Sequence, residues 1–204
     1  MIMDLNEAAS AGHADLSRGT HQPGLRAYHA RLLLSLIRRH GSLPKAEIAR
    51  RTGLSAQTVS VIIRQLEADG LLTKEKPQRG KVGQPLVPFS LNRDGAYFIG
   101  LKIGRRSGDL ILLDLAGNVR AKIHQTYAYP VPGELLSFVR RSLDRLTSHL
   151  DAEGRKRIAG LGIAAPFELW NWGEEVGAAH NILEAWRGFD LQKDIEALCP
   201  WPVY

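Results

Sequence analysis

The stretch from Ala46 to Ser60, Ala-Glu-Ile-Ala-Arg-Arg-Thr-Gly-Leu-Ser-Ala-Gln-Thr-Val-Ser, constrains the fold more than any other part of the chain. Ala49 is small enough for two helices to cross closely at its position. Gly53 permits a tight turn, Leu54 can plug that turn into a core, and Val59 can anchor a second helix. The flanking residues extend the pattern. Ala30, Leu33, Leu36 and Ile37 recur at spacings of three and four, a helical stripe beginning near Leu25 and stopped by Gly41. Pro44 suits a helix first turn. Ser55 can cap a further helix whose inward stripe is Val59, Ile62, Ile63 and Leu66, closed by Gly70.

The Ala46–Ser60 stretch resembles the bacterial helix-turn-helix. With Val59, Ile62 and Ile63 turned inward, Ser55, Ala56, Gln57, Ser60 and Arg64 remain on or near the outward face, where a recognition helix meets base edges. Gln57 can pair bidentately with adenine, Arg64 can contact guanine or phosphate, and Thr58 suits phosphate. Each residue alone is what any solvated helix carries, and the turn signature is what binds them into one reading. Charge supports it. Residues 25–93 hold 13 Lys and Arg against four acids, whereas residues 1–24 are net −2 and residues 94–204 net −1. A local cationic surplus is the footprint of a nucleic-acid-binding module, because phosphate neutralisation supplies most non-specific affinity.

Two short strands, Leu71 to Lys76 and Leu86 to Leu91, then make a hairpin whose connection carries Arg79 and Lys81 among Gly80, Gly83 and Pro85. Such a wing can lie along phosphates or in a narrow minor groove. Further strands are expected at Tyr97–Ile103, Leu110–Leu115, Val119–Tyr127 and Ile158–Ala164, with a helix from about Gly133 to Leu150 after the third and a last helix near Leu191–Leu198.

The second half adds a wider resemblance. Ile99-Gly100-Leu101-Lys102-Ile103-Gly104, Leu113-Asp114-Leu115-Ala116-Gly117-Asn118, Gly160-Leu161-Gly162-Ile163-Ala164-Ala165-Pro166 and Asn181-Ile182-Leu183-Glu184-Ala185-Trp186, following a winged helix, look like the ROK family of repressors and sugar kinases. The resemblance covers about residues 25–204. It implies an α/β chain: an N-terminal α+β winged helix-turn-helix followed by a partial actin-like ATPase domain with an RNase H-like core. The expected organisation is an arm at 1–24, the DNA-binding domain at 25–92 and an effector domain at 95–204, truncated relative to the family.

Departures from the family's enzymatic pattern argue against catalysis. Where ROK kinases place an Asp before their phosphate-cradling turn, this chain has Lys102, followed by Ile103-Gly104-Arg105-Arg106-Ser107. A cation and two arginines replace a metal carboxylate and a close-approach glycine. The family's catalytic base and zinc motif are not found, so no catalytic residue, metal site or cofactor is expected. By resemblance, a sugar or sugar-derivative effector contacts the Ala165-Pro166-Phe167-Glu168 loop, at Pro166, and His180 or Asn181. Trp170 and Trp172 could stack on a sugar ring, although tryptophans more often pack. The single Cys199 excludes an internal disulfide and suits a cytoplasmic setting, and no apolar run reaches the roughly 18 residues of a membrane span. The expected partners are a double-stranded DNA operator, the effector, and further copies of the full-length chain in a homodimer or higher homo-oligomer. The resulting expectation is a sequence-specific repressor of carbohydrate-metabolism genes. The alternatives are an ATP-dependent sugar kinase and a constitutive DNA-binding protein without effector control.

Overall fold

The computed structural model describes residues 22–78, 86–173, 177 and 180–204. The chain forms two compact units, one ending at Gly95 and one beginning at Ala96.

The first unit contains α1 (Gln22–His40), β1 (Ser42–Pro44), α2 (Lys45–Thr52), α3 (Ala56–Ala68), β2 (Leu72–Lys74) and β3 (Pro88–Leu91). Its sheet has the order β1-β3-β2, antiparallel throughout, with Leu43 opposite Phe89 and Leu72 opposite Leu91. Helix α1 begins three residues earlier than the apolar stripe suggested, because Pro23 fits a helix first turn. Pro44 does not lie inside α2. It ends β1 in an extended conformation and sits at the helix N-cap. The strand escaped the sequence reading because three residues carry no usable alternation. Ala30, Leu33, Ile37, Leu43, Ile48, Val59, Ile62, Ile63, Leu66, Leu72 and Phe89 form one buried core. The arginines between them on α1 face water.

The second unit contains β4 (Tyr97–Ile103), β5 (Ser107–Asp114), β6 (Val119–Thr126), α4 (Pro132–Thr147), α5 (Ala152–Lys156), β7 (Ile158–Ala164), α6 (His180–Glu184) and α7 (Leu191–Glu196). The sheet order is β6-β5-β4-β7, with β7 parallel to β4 and the other pairs antiparallel. Alternation along β4 and β5 buries Ile99, Leu101, Leu110 and Leu112 in the same core as Leu135, Val139 and Leu146 of α4. At the far edge, Val203 bridges Leu161 in parallel. The turn after β5 is fastened by Asp114, only 1% exposed. Its Oδ1 accepts the backbone N–H groups of Ala116 at 3.0 Å and Asn118 at 2.9 Å, and the Asn118 amide donates to both carboxylate oxygens. Helix α5 was hidden in the sequence by Gly154, whose N–H is capped by Asp151 at 2.7 Å.

Candidate nucleic-acid interface

In the first unit, the geometry follows from the turn between α2 and α3. Gly53 adopts φ of 71°, a conformation costly to any residue with a Cβ, and its N–H bonds the Ala49 carbonyl at 2.9 Å. Ala49 and Leu54 are half-buried against the core, as a close helix crossing requires. Thr52 donates its hydroxyl to the Ile48 carbonyl at 2.8 Å, closing α2. Ser55 then caps α3, accepting the Thr58 N–H at 3.1 Å.

The inward stripe of α3 is Val59, Ile62, Ile63 and Leu66. This leaves Ser55, Ala56, Gln57 and Arg64 exposed, with Thr58 and Ser60 half-buried beside them. The hydroxyls of Ser55 and Thr58 lie 2.8 Å apart and engage each other as well as the helix end. One neighbour on this face was missed in the sequence: Val61, 40% exposed. It lies outside the inward stripe of Val59, Ile62, Ile63 and Leu66, and an apolar side chain there offers no hydrogen bond that would mark it as a base contact.

On α2 an ionic clamp holds the cations in place. Glu47 accepts from Arg50 through both carboxylate oxygens, at 2.9 and 2.6 Å, and from Arg51 at 2.6 Å. Arg51 also reaches the His40 ring at 3.1 Å. The Arg50 guanidinium, then Arg51, lowers the Glu47 carboxyl to about 2. Past β2, Gln78 and Leu86 exchange backbone hydrogen bonds of 2.7 and 3.0 Å, which continues the hairpin of the wing. Arg79 and Lys81 fall in the segment outside the described residues.

The second unit was expected to carry a ligand loop. Lys102 is exposed on β4, opposite Asp109. Asp109 also pairs with Lys122 at 2.8 Å and His124 at 2.7 Å, and Lys122 chiefly holds its carboxyl below the usual range. Between β4 and β5 the chain turns sharply: the Gly104 N–H donates to the Ser107 carbonyl at 2.8 Å, and the Tyr127 hydroxyl contacts the Gly104 and Ser107 carbonyls at 2.8 and 2.7 Å. A phosphate-cradling loop needs free backbone N–H groups, and at Gly104 that group is already used. The loop after β7 holds Pro166 half-buried and Phe167 85% exposed. His180 and Asn181 open α6, and their side chains lie outside the described residues. Trp170 and Trp172 pack partly against the core, with the guanidinium of Arg187 5.5 Å from the first ring and that of Arg105 5.0 Å from the second. One face of each indole is therefore occupied by a cation. Among the described residues no group of His, Cys, Asp and Glu could hold a metal ion, and no helix is long and apolar enough to cross a membrane.

A helix-turn-helix with a β-hairpin wing defines the class of this first unit: a winged helix-turn-helix DNA-binding domain. Residues 24–81 match the model of the MarR family. The chain is 26% identical over 122 residues to the DNA-binding transcriptional dual regulator NagC of Escherichia coli, covering 59% of this chain and 29% of that protein. It is 29% identical over 130 residues to the transcriptional regulator Mb0495 of Mycobacterium bovis, covering 62% and 29%. An uncharacterised protein of Sinorhizobium fredii, y4fQ, is 23% identical over 168 residues, 82% of this chain and 41% of the other. In structure, the chain resembles a ROK family transcriptional regulator, a homologue of the E. coli MLC protein, with a TM-score of 0.57 and 17% identity over 88% of this chain and 45% of that one. The first unit is thus a MarR-type winged helix, and the chain as a whole, a winged helix followed by an α/β domain, is similar in fold to that ROK family regulator. The chain spans less than half the length of these relatives.

Proposed function

We propose that this chain is a cytoplasmic, sequence-specific DNA-binding transcriptional regulator that represses carbohydrate-metabolism genes and is relieved by a sugar or sugar derivative. The observation that carries the reading is the outward face of α3, where Gln57 and Arg64 are exposed on a helix whose opposite stripe is wholly buried. That helix belongs to the segment with 13 cations against four acids. Gln57 and Arg64 read base edges. Ser55, Ala56, Thr58 and Ser60 line the approach to them, and Arg79 and Lys81 add wing contacts to the backbone. The sugar effector follows from the ROK-type fold and from the names of relatives such as the N-acetylglucosamine repressor of E. coli. It would meet the Pro166 loop and the start of α6 at His180 and Asn181. Binding would shift the population away from the arrangement in which paired domains match two half-sites of the operator, which requires a homodimer or larger assembly.

The kinase alternative is disfavoured by the exposed lysine at position 102 and by the closed Gly104–Ser107 turn. No catalytic role is assigned, and the curated relatives of known role are transcriptional regulators. The test is binding of the full chain to duplex DNA selected from a randomised library, followed by fluorescence anisotropy across a salt series. Affinity should fall steeply with salt, and joint replacement of Gln57 and Arg64 by Ala should erase the preference for the selected sequence. Salt-independent binding, or a preference that survives both replacements, counts against the proposal.

A further inference from the structure

Val61 stands apart from the other branched apolar residues of α3. Val59, Ile62, Ile63 and Leu66 are between 0 and 7% exposed, whereas Val61 is 40% exposed and takes no part in the core. Nothing about the helix itself favours valine there, since a β-branched residue is among the poorer helix formers and water gains nothing from an isopropyl group. The position is specific in another sense. Val61 follows Gln57 by four residues and precedes Arg64 by three, so the three side chains share one stripe, and Gln57 and Arg64 are both exposed. A single isopropyl group flanked by an amide and a guanidinium is far too small to dock a protein, for which interfaces bury on the order of 800 Å² per partner. It matches the one apolar group that the major groove presents, the C5-methyl of thymine.

Resting on the DNA-binding reading above, we propose that Val61 is a specificity-determining residue that recognises a thymine methyl in the operator, beside the base pair contacted by Gln57. The preferred half-site then contains thymine at one position for a reason that no hydrogen bond supplies. Cytosine offers no methyl there, and deoxyuridine offers the hydrogen-bonding edge of thymine without it.

The experiment uses the full chain and a duplex selected from a randomised library, with each thymine replaced in turn by deoxyuridine. Binding by the unaltered protein should weaken about fourfold at one thymine of each half-site, the worth of one buried methyl. Val61→Ala should bind the unmodified duplex more weakly and lose its sensitivity to deoxyuridine at that same thymine. Val61→Ile, which keeps the branched methyls, should retain it. Because alanine raises helix propensity at an exposed site, the alanine variant folds, and a matching thermal transition verifies this. If the duplex is bound but no thymine responds, or if Val61→Ala responds as the unaltered protein does, the assignment of Val61 is overturned while DNA reading stands. If no sequence is enriched at all, the DNA-reading function itself fails, and the thymine assignment with it.

Discussion

The Ser55 hydroxyl lies 3.1 Å from the Thr58 backbone nitrogen and 2.8 Å from the Thr58 hydroxyl, so it caps the proposed recognition helix from within the proposed DNA-facing surface. One side chain therefore serves stability and recognition at once, and substitutions separate the two. Ser55→Ala should cost about 1 kcal/mol, the usual worth of an N-cap. Ser55→Asp should keep the cap and complement the helix dipole, yet weaken DNA binding by placing a carboxylate near phosphate. Urea denaturation and anisotropy on the same two variants check this. Equal DNA affinity for Ser55→Asp and the unaltered chain would place Ser55 outside the interface.

The Glu47 clamp makes the stability of the first unit depend on acid. Its carboxyl is lowered to about 2 by Arg50 and then Arg51, against about 4.3 for an unconstrained glutamate. Its contribution is therefore complete above about pH 4.3 and lost as pH falls through 2. Glu47→Gln should be less stable than the unaltered chain at neutral pH, and the gap should close as acid is added. The clamp is solvent-exposed, so the gap should be small and should shrink in high salt. Thermal melts at pH 7 and pH 2.5 supply the comparison.

Tyr127 should titrate late. Burial raises its phenol to about 12, partly opposed by the hydrogen bond to Gly104. The folded group keeps its proton where an unfolded tyrosine, near 10, gives it up. Its contribution is thus fully present below about pH 10 and lost as pH rises toward 12. Absorbance at tyrosinate wavelengths should show a lagging step near pH 12. Tyr127→Phe should remove that lagging step and lower stability by roughly 1 kcal/mol, as expected for lost hydrogen bonds to the Gly104–Ser107 turn.

Asp114→Ala should destabilise the second unit by about 2–3 kcal/mol, because it leaves the N–H groups of Ala116 and Asn118 without their acceptor beneath a nearly fully buried side chain. Asn118→Ala should cost less, since it removes only the side-chain share of the clasp. A loss confined to the second unfolding transition, with DNA binding intact, is the expected pattern.

Legibility differed between the units for physical reasons. The inward stripe of α3 and its Ser55 cap follow from helical period and capping chemistry, and both are present as read. Strand β7 was placed at Ile158–Ala164 because its apolar run is bounded by charge on one side and proline on the other. The strand β1, the helix α5 and the bridge of Val203 to Leu161 had no signal, since each depends on a partner distant in sequence or on too few residues to show a period. Among the proposed site residues, Gln57 and Arg64 were visible as polar residues opposite an apolar stripe. Val61 was not, because it falls outside the apolar stripe yet carries no polar group to mark it as a contact. The Asp114 motif was visible only as a resemblance, and its hydrogen bonds show why those residue types belong there.

The parallel pairing of β7 with β4 has a consequence for synthesis. Every described strand pairing of the first unit is available once Leu91 has emerged from the ribosome, whereas β4 waits for a partner that ends at Ala164. At roughly 5–20 residues per second, that interval lasts several seconds. During it a nascent chain carries a finished winged helix ahead of an unfinished sheet whose central strand has one unpaired edge. The risk of misassembly therefore falls on the half proposed to sense the effector, and a stalled or shortened product retains the half proposed to bind DNA.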